Sequence, residues 1–141
     1  MATWTTPKTD WVATDYFNWS DFNRIKNNLA YLHDEAEKVC PPFSVNSTST
    51  ADITSYEYIW LPSDINKLEQ DLTTIFQAVK YPDMSIGNQK TFSYNGAFIN
   101  YTELNRIESA SLNIYNRLVN QIAGRTQIKV TLGFKLGGVQ F

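Results

Sequence analysis

One six-residue phrase occurs three times in this chain, and it constrains the fold more than any other feature. Each copy consists of a small hydroxyl residue, an acid, an apolar residue, Asn, a base and an apolar residue. The copies occupy residues 20–25, 63–68 and 102–107. A hydroxyl residue followed by an acid suits the first turn of an α-helix, where backbone N–H groups lack partners and the helix dipole favours negative charge. The phrase therefore predicts three helix starts.

The residues after each phrase carry apolar side chains three and four positions apart, the pattern of a helix with one buried face. The spacing predicts helices over about 21–39, 64–80 and 103–123. We expect Ser20 to cap the first helix and Gly124 to terminate the third. Prolines after the first two helices agree with these boundaries, because a residue before proline disfavours helical geometry.

Two segments are predicted to add β-structure. Asn95-Gly96 lies between short apolar runs and favours a hairpin over 92–99, with a simple loop as the alternative. Residues 128–136 alternate strictly between apolar and polar, which is typical of a half-buried strand and predicts one over 127–136. Residues 53–60 favour a short strand or an ordered loop. The predicted fold class is α+β, predominantly α, with three amphipathic helices packed together and a small β element.

The chain of 141 residues has the length of one domain with a real core. Residues 1–18 contain Pro7 and several aromatic residues, and we interpret them as an extended N-terminal arm. Residues 19–141 form the predicted helical domain with its C-terminal strand. The phrase spacing is close to that of helical repeats, but the intervening segments do not resemble one another, so we favour a packed helical core over a solenoid.

Composition disfavours nucleic-acid and membrane partners. Net charge is −2, which gives no electrostatic footprint for nucleic acid or an anionic membrane. No apolar run approaches the roughly 20 residues that cross a bilayer, and no secretion signal opens the sequence, so we expect synthesis in the cytoplasm. The chain has 4 Trp, 8 Tyr and 8 Phe but only 18% charged residues, a balance that favours packed or protein-contacting surfaces.

The residues that usually carry chemistry are scarce. Cys40 is the only cysteine and His33 the only histidine, which excludes a CxxC metal site and a multi-His metal cluster. His33 lies among acidic residues without a visible nucleophile, so a solvated face is favoured over a general base. Cys40 is interpreted as a packing residue. We therefore predict no enzymatic activity, no cofactor and no metal.

The base of each phrase lies near a helix start, where it opposes the helix dipole by about 0.3–1 kcal/mol when exposed. The acid three residues earlier can pair with it, and an aromatic residue before two of the copies, Trp19 and Tyr101, can stack on its guanidinium. A contact point for a partner protein is the functional interpretation. Local capping explains the same residue types, and we favour it. The three bases are Arg24, Lys67 and Arg106.

The N-terminal region resembles a known group of proteins. Residues 4–11 (WTTPKTDW), 15–18 (DYFN) and 21–29 (DFNRIKNNL) are similar to the N-terminal region of bacteriophage tail and baseplate-associated structural proteins, mostly from phages and prophages of Gram-positive hosts. Residues 105–108 (NRIE) fit the same pattern. The resemblance implies a non-enzymatic virion protein of the tail, in several symmetric copies, whose partners are other virion structural proteins. A homo-oligomer is expected, as a baseplate or fibre-base component.

We expect two parts of the chain to contact such partners. One is the aromatic N-terminal arm, and the other is the predicted C-terminal strand, since an unpaired amphipathic strand suits strand addition. The expected contact residues are Trp4, Trp11, Tyr16, Ile128, Val130, Leu132 and Phe134.

Two alternatives remain open. A module that binds a host-surface glycan would expose aromatic rings of residues 56–60, namely Tyr56, Tyr58 or Trp60, in a groove. A hydrolase would place His33 within hydrogen-bond reach of a nucleophile.

Overall fold

The computed structural model describes the backbone of residues 3–55, 62–93, 95–96 and 98–137, with side chains described up to Arg125. Within these residues the regular structure is helical: α1 (Trp19–Ala36), α2 (Pro62–Val79), α3 (Tyr101–Gly137) and a single 3₁₀ turn (Asn46–Thr48). The described ranges contain no β-strand, so the predicted α+β class is wrong. None of the described helices has both the length and the apolar character of a membrane-spanning segment.

The predicted strand over 127–136 is part of α3, which continues through Gly124 to Gly137. A strand needs a neighbouring strand for its backbone hydrogen bonds, and the described residues supply none. Extending an existing helix adds one internal hydrogen bond per residue without a new nucleation cost. Glycine inside a helix costs only about 1 kcal/mol relative to alanine, so Gly124 does not stop it.

The predicted hairpin over 92–99 is not formed in the described residues. The N–H of Gly96 donates to the carbonyl of Ser93 at 3.0 Å, which makes a local turn without paired strands. Tyr94 and Ala97 lie outside the described residues, as do residues 56–60 of the β-prone segment and Leu61 after it.

Each helix begins two residues before its predicted start because the phrase itself forms the first turn. The N-cap of α1 is Asn18 rather than Ser20, and the Asn18 N–H donates to Oδ2 of Asp21 at 2.9 Å. At the start of α3, Oδ1 of Asn100 accepts the N–H of Glu103 at 3.1 Å. α2 begins with Pro62, and proline suits the first helical position because no N–H is needed there.

The three helices run parallel. Arg24 lies in the second turn of α1 and its Nε is 2.8 Å from Oε1 of Glu108, which lies in the third turn of α3. Arg106 of α3 makes the corresponding contact with Glu69 of α2 at 2.5 Å. All three helices therefore start at one end of the bundle. The segments between them must return along a helix of 18 residues, which is about 27 Å long.

The apolar stripes of the helices fill one core at equivalent positions. Counted from the Asn of each phrase, positions −1, +2, +6, +9 and +13 point inward in all three helices. Ser111 is the one polar member, and its hydroxyl donates to the carbonyl of Ile107 at 2.9 Å. The equivalent sets are Phe22, Ile65 and Leu104; Ile25, Leu68 and Ile107; Leu29, Leu72 and Ser111; Leu32, Ile75 and Ile114; and Ala36, Val79 and Leu118.

Candidate functional site

The Asn of each phrase clamps the backbone of a distant extended segment. Its Oδ1 accepts the N–H of one residue, and its Nδ2 donates to the carbonyl of the same residue, at N···O distances between 2.7 and 2.9 Å. The amide thus replaces the two hydrogen bonds that a neighbouring strand would supply. The clamped pairs are Asn23 with Ile53, Asn66 with Phe92 and Asn105 with Trp11.

These clamps close a cycle. The segment before α1 is held by α3, the segment before α2 by α1, and the segment before α3 by α2. Each helix therefore has the same clamp relation to its neighbours, and the backbone arrangement has approximate internal threefold symmetry. The repeat produces a closed arrangement around one core. The intervening segments differ in sequence, yet each carries one extended stretch along the groove between two parallel helices.

The N-terminal arm fills the groove between α1 and α3. Asn28 of α1 clamps Thr5 just as the phrase asparagines do, with distances of 2.9 and 2.8 Å. The ring of Trp4 stacks on Tyr115 with a centroid distance of 4.0 Å and lies 5.9 Å from Tyr31. Trp11 is 3% exposed, so the second Trp is part of the core. The arm is thus bound along its backbone and anchored by two aromatic rings.

Glu108 of α3 joins the arm to α1. Its carboxylate is buried and accepts a hydrogen bond from Nε1 of Trp11 at 2.5 Å and one from the backbone N–H of Lys8 at 3.1 Å. Nε and Nη2 of Arg24 each donate to it at 2.8 Å, and Asp21 also binds this guanidinium at 2.8 Å. Arg24 therefore compensates a buried charge, which makes removal of either partner costly.

The same arrangement recurs between α2 and α3, where Arg106 pairs with Glu69 and with Glu103. Burial raises the pKa of Glu69, although the Arg106 guanidinium opposes that shift. The expected pairs between the acid and the base of a phrase are thus present for Asp21 with Arg24 and for Glu103 with Arg106.

The third interface, between α1 and α2, lacks the Arg–Glu pair of the other two. The position of the buried glutamate is occupied in α1 by Lys26, and the base of the second phrase is Lys67. Nζ of Lys26 donates to the carbonyl of Thr50 at 2.8 Å and pairs with Asp52. Among the described residues, Lys67 makes no ion pair, so the expected pair with Asp64 is not formed there.

Exposed apolar side chains gather where the arm meets the start of α3. Five large apolar side chains of the described part are exposed, and four of them line one groove of about 330 Å³. Tyr16 is 85% exposed, and the fifth exposed side chain, Val119, lies elsewhere on α3. We call this group the apolar patch, and its members are Val12, Tyr16, Phe98 and Tyr101.

The residues expected to contact a partner differ in exposure: two of them are packed inside the protein and one is exposed. Trp4 and Trp11 are used in packing the arm onto its own bundle, whereas the ring of Tyr16 is available to another molecule. The side chains expected in the C-terminal strand lie outside the described part, although their backbone is helical. Whether any of these residues contacts a partner stays a prediction. The undescribed side chains are Ile128, Val130, Leu132 and Phe134.

His33 is buried and holds the segment after α1 in place, in contrast to the solvated position that we expected. Its Nε2 lies 2.7 Å from the carbonyl of Phe43, and its Nδ1 lies 3.0 Å from Oδ1 of Asp34. Burial disfavours the charged ring, but these hydrogen bonds and the nearby Glu37 carboxylate outweigh it and raise the pKa of His33. Neither hydrogen-bond partner is a hydroxyl or a thiol, and burial raises the pKa of Cys40.

The residues that matter most in this structure were partly missed in the sequence. The sequence pattern shows the Asn of the phrase as a repeated residue but does not identify it as a clamp. The sequence signal for the clamps is an apolar residue 12 or 13 positions before each phrase Asn, namely Trp11, Ile53 and Phe92. Each of these residues is held by the Asn of another phrase.

A scan against protein-family models finds no match to this chain, and searches of curated proteins and of solved structures find none either.

Proposed function

We propose that this protein is a non-enzymatic structural component of a bacteriophage virion, in the tail or baseplate, and that it works through protein–protein contacts. The observation that carries the proposal is the apolar patch at the base of the N-terminal arm. Apolar and aromatic side chains that cluster on a surface are typical of contact sites between proteins. The resemblance of residues 4–29 to phage tail proteins supplies the virion context.

The polar residues support the same conclusion because their roles are internal. Within the described part of the chain, every buried side-chain nitrogen and oxygen atom has a hydrogen-bond partner. Asn23, Asn66 and Asn105 hold backbone, and Glu69 and Glu108 hold arginines. Such fully satisfied networks rigidify a fold. A rigid body with an exposed aromatic patch suits an assembly component.

The direct test is to find the protein in purified particles. An antibody against this chain and mass spectrometry of density-purified virions should detect it in the tail fraction. In a phage carrying Tyr16→Ser with Phe98→Ser, we expect at least tenfold less of the protein in particles, because the patch loses its two most exposed aromatic anchors. Absence of the unaltered protein from particles would refute the proposal.

The matched control is Val119→Ser, which removes an exposed apolar side chain outside the apolar patch. We expect this variant to enter particles at the unaltered level. Binding of the purified protein to host cell walls, lost in the Tyr16→Ser variant, would instead favour a glycan-binding module.

A further inference from the structure

The N-terminal arm differs from the other two clamped segments in how it is tied to the bundle. The segments before α2 and α3 each connect two helices, so neither can leave its groove without displacing a helix. The arm precedes all three helices, and residues 12–18 connect it to α1. It can therefore leave the groove between α1 and α3 while the helices stay packed.

The groove recognises the arm through groups that any copy of the chain supplies. Asn28 and Asn105 form hydrogen bonds with backbone atoms of the arm. Glu108 accepts hydrogen bonds from the indole Nε1 of Trp11 and from the backbone N–H of Lys8. These contacts join residues at least 23 positions apart in sequence, so an arm from another molecule makes them equally well. Trp4 inserts beside Tyr115 in the same way.

The chain reverses direction immediately after the arm. The arm runs opposite to the helices, because Trp4 lies beside Tyr115 in the middle of α3 and Trp11 lies beside Asn105 near its start. The reversal is one turn over residues 12–15, in which the N–H of Asp15 donates to the carbonyl of Val12 at 3.0 Å. Opening this turn would point the arm away from its own groove.

We propose that the groove between α1 and α3 also accepts the N-terminal arm of a second copy of this chain, exchanged through the turn at residues 12–15. Exchange of an identical element conserves every contact, so its cost is low. The apolar patch adds a reason. Val12 is the first residue of the turn and Tyr16 follows it. Because the turns of two exchanging copies come together, this exposed apolar surface is covered only in the exchanged oligomer. This proposal deepens the proposed function by naming one of its contacts.

The test removes the reversal. Deleting residues 13–15 from the full chain should prevent the arm from folding back, and the variant should form a defined oligomer in size-exclusion chromatography with light scattering. Adding Asn105→Ala to the deletion should increase the monomer fraction at least tenfold. The exchanged arm of one molecule depends on the Asn105 clamp of the other. As a matched control, inserting Gly-Ser-Gly after Ala13 lengthens the turn, lets the arm fold back and should give a larger monomer fraction than the unaltered chain. A deletion variant that stays monomeric with unchanged helical circular dichroism would overturn the proposal.

A second measurement covers a deletion variant that fails to fold. Two differently tagged copies of the unaltered chain, mixed and incubated, should co-purify, and Tyr16→Ser should reduce the captured fraction at least fivefold while Val119→Ser leaves it unchanged. Lack of co-purification would refute arm exchange. Both experiments use purified protein, so their failure is separate from absence of the protein in virions, which tests the proposed function itself.

Discussion

The side-chain amide of Asn matches extended backbone because its NH₂ donor group lies beside its carbonyl acceptor. In this chain that match is used at three equivalent positions, and each amide is partly buried against the segment it holds. Replacing an amide by a methyl group leaves an N–H and a carbonyl without partners in a place that water reaches poorly. The cost of each such unsatisfied group is about 1–3 kcal/mol.

Each substitution leaves two backbone groups without partners, at a cost of about 1–2 kcal/mol per group. We therefore expect Asn23→Ala, Asn66→Ala and Asn105→Ala each to lower the free energy of unfolding by about 2–4 kcal/mol. Urea titration followed by circular dichroism measures the change. Asn113→Ala, on the exposed face of α3, is the control and should stay within about 0.5 kcal/mol. A large loss for one phrase asparagine and none for the other two would contradict their equivalence.

A second residue-scale prediction concerns pH. His33 has a raised pKa in the folded protein, so its contribution to stability is complete below the unfolded pKa of about 6.5 and is lost as pH rises through the folded value. The groups facing the ring are Asp34, Glu37 and the carbonyl of Phe43. We expect the stability difference between the unaltered protein and His33→Gln to be larger at pH 6 than at pH 9. Urea midpoints at the two values measure it, and an equal difference at both would show that the ring is held neutral.

At the scale of elements, capping chemistry and apolar spacing were enough to find all three helices. The ends of α1 and α2 agree with the prediction within a few residues, since α1 stops at Ala36 and α2 at Val79, whereas α3 continues past its predicted end to Gly137. The errors have one cause, which is that local pattern does not report distant partners. Trp11 and Asn105 are 94 residues apart, so no window along the chain contains that clamp. The alternation in residues 128–136 suited a strand, but the described chain offers no strand to pair with it.

Gly124 is the residue at which the predicted and the observed α3 differ. The sequence predicts that it ends the helix, whereas the structure places it in the interior. A Cβ added there would meet no atom within 4 Å. Gly124→Ala should raise stability by roughly 0.5–1 kcal/mol, because it reduces the entropy of the unfolded chain without a clash. Thermal unfolding measures the shift.

Gly87→Ala is the matched control for that substitution. Gly87 has φ of +73°, and an added Cβ would lie 2.7 Å from Cδ of Arg106, so this variant should be destabilised. A destabilised Gly124→Ala variant would mean that the helix terminates at Gly124 after all.

For the whole molecule, the internal threefold arrangement explains why a base near a helix start is tolerated. Arg24 and Arg106 oppose the dipoles of their own helices, but each neutralises a buried glutamate of a neighbouring helix. Two of the three interfaces are closed by such a pair. At the third, Lys26 and Lys67 occupy the positions of the glutamate and the arginine, so the cycle is electrostatically incomplete.

Completing the cycle is the sharpest test of this symmetry. Lys26→Glu alone should destabilise the protein, because it removes the partner of Asp52 and places a second carboxylate beside it. Lys67→Arg alone should have little effect, since Lys67 is exposed. If the interface is equivalent to the other two, the double variant recreates their ion pair and recovers at least about 1 kcal/mol relative to the sum of the single changes. A double-mutant cycle from urea unfolding measures this coupling. A control cycle that pairs Lys26→Glu with Lys38→Arg, a distant exposed position, should give no coupling energy. Equal coupling energies in both cycles would mean that the threefold symmetry applies to the backbone but not to these side chains.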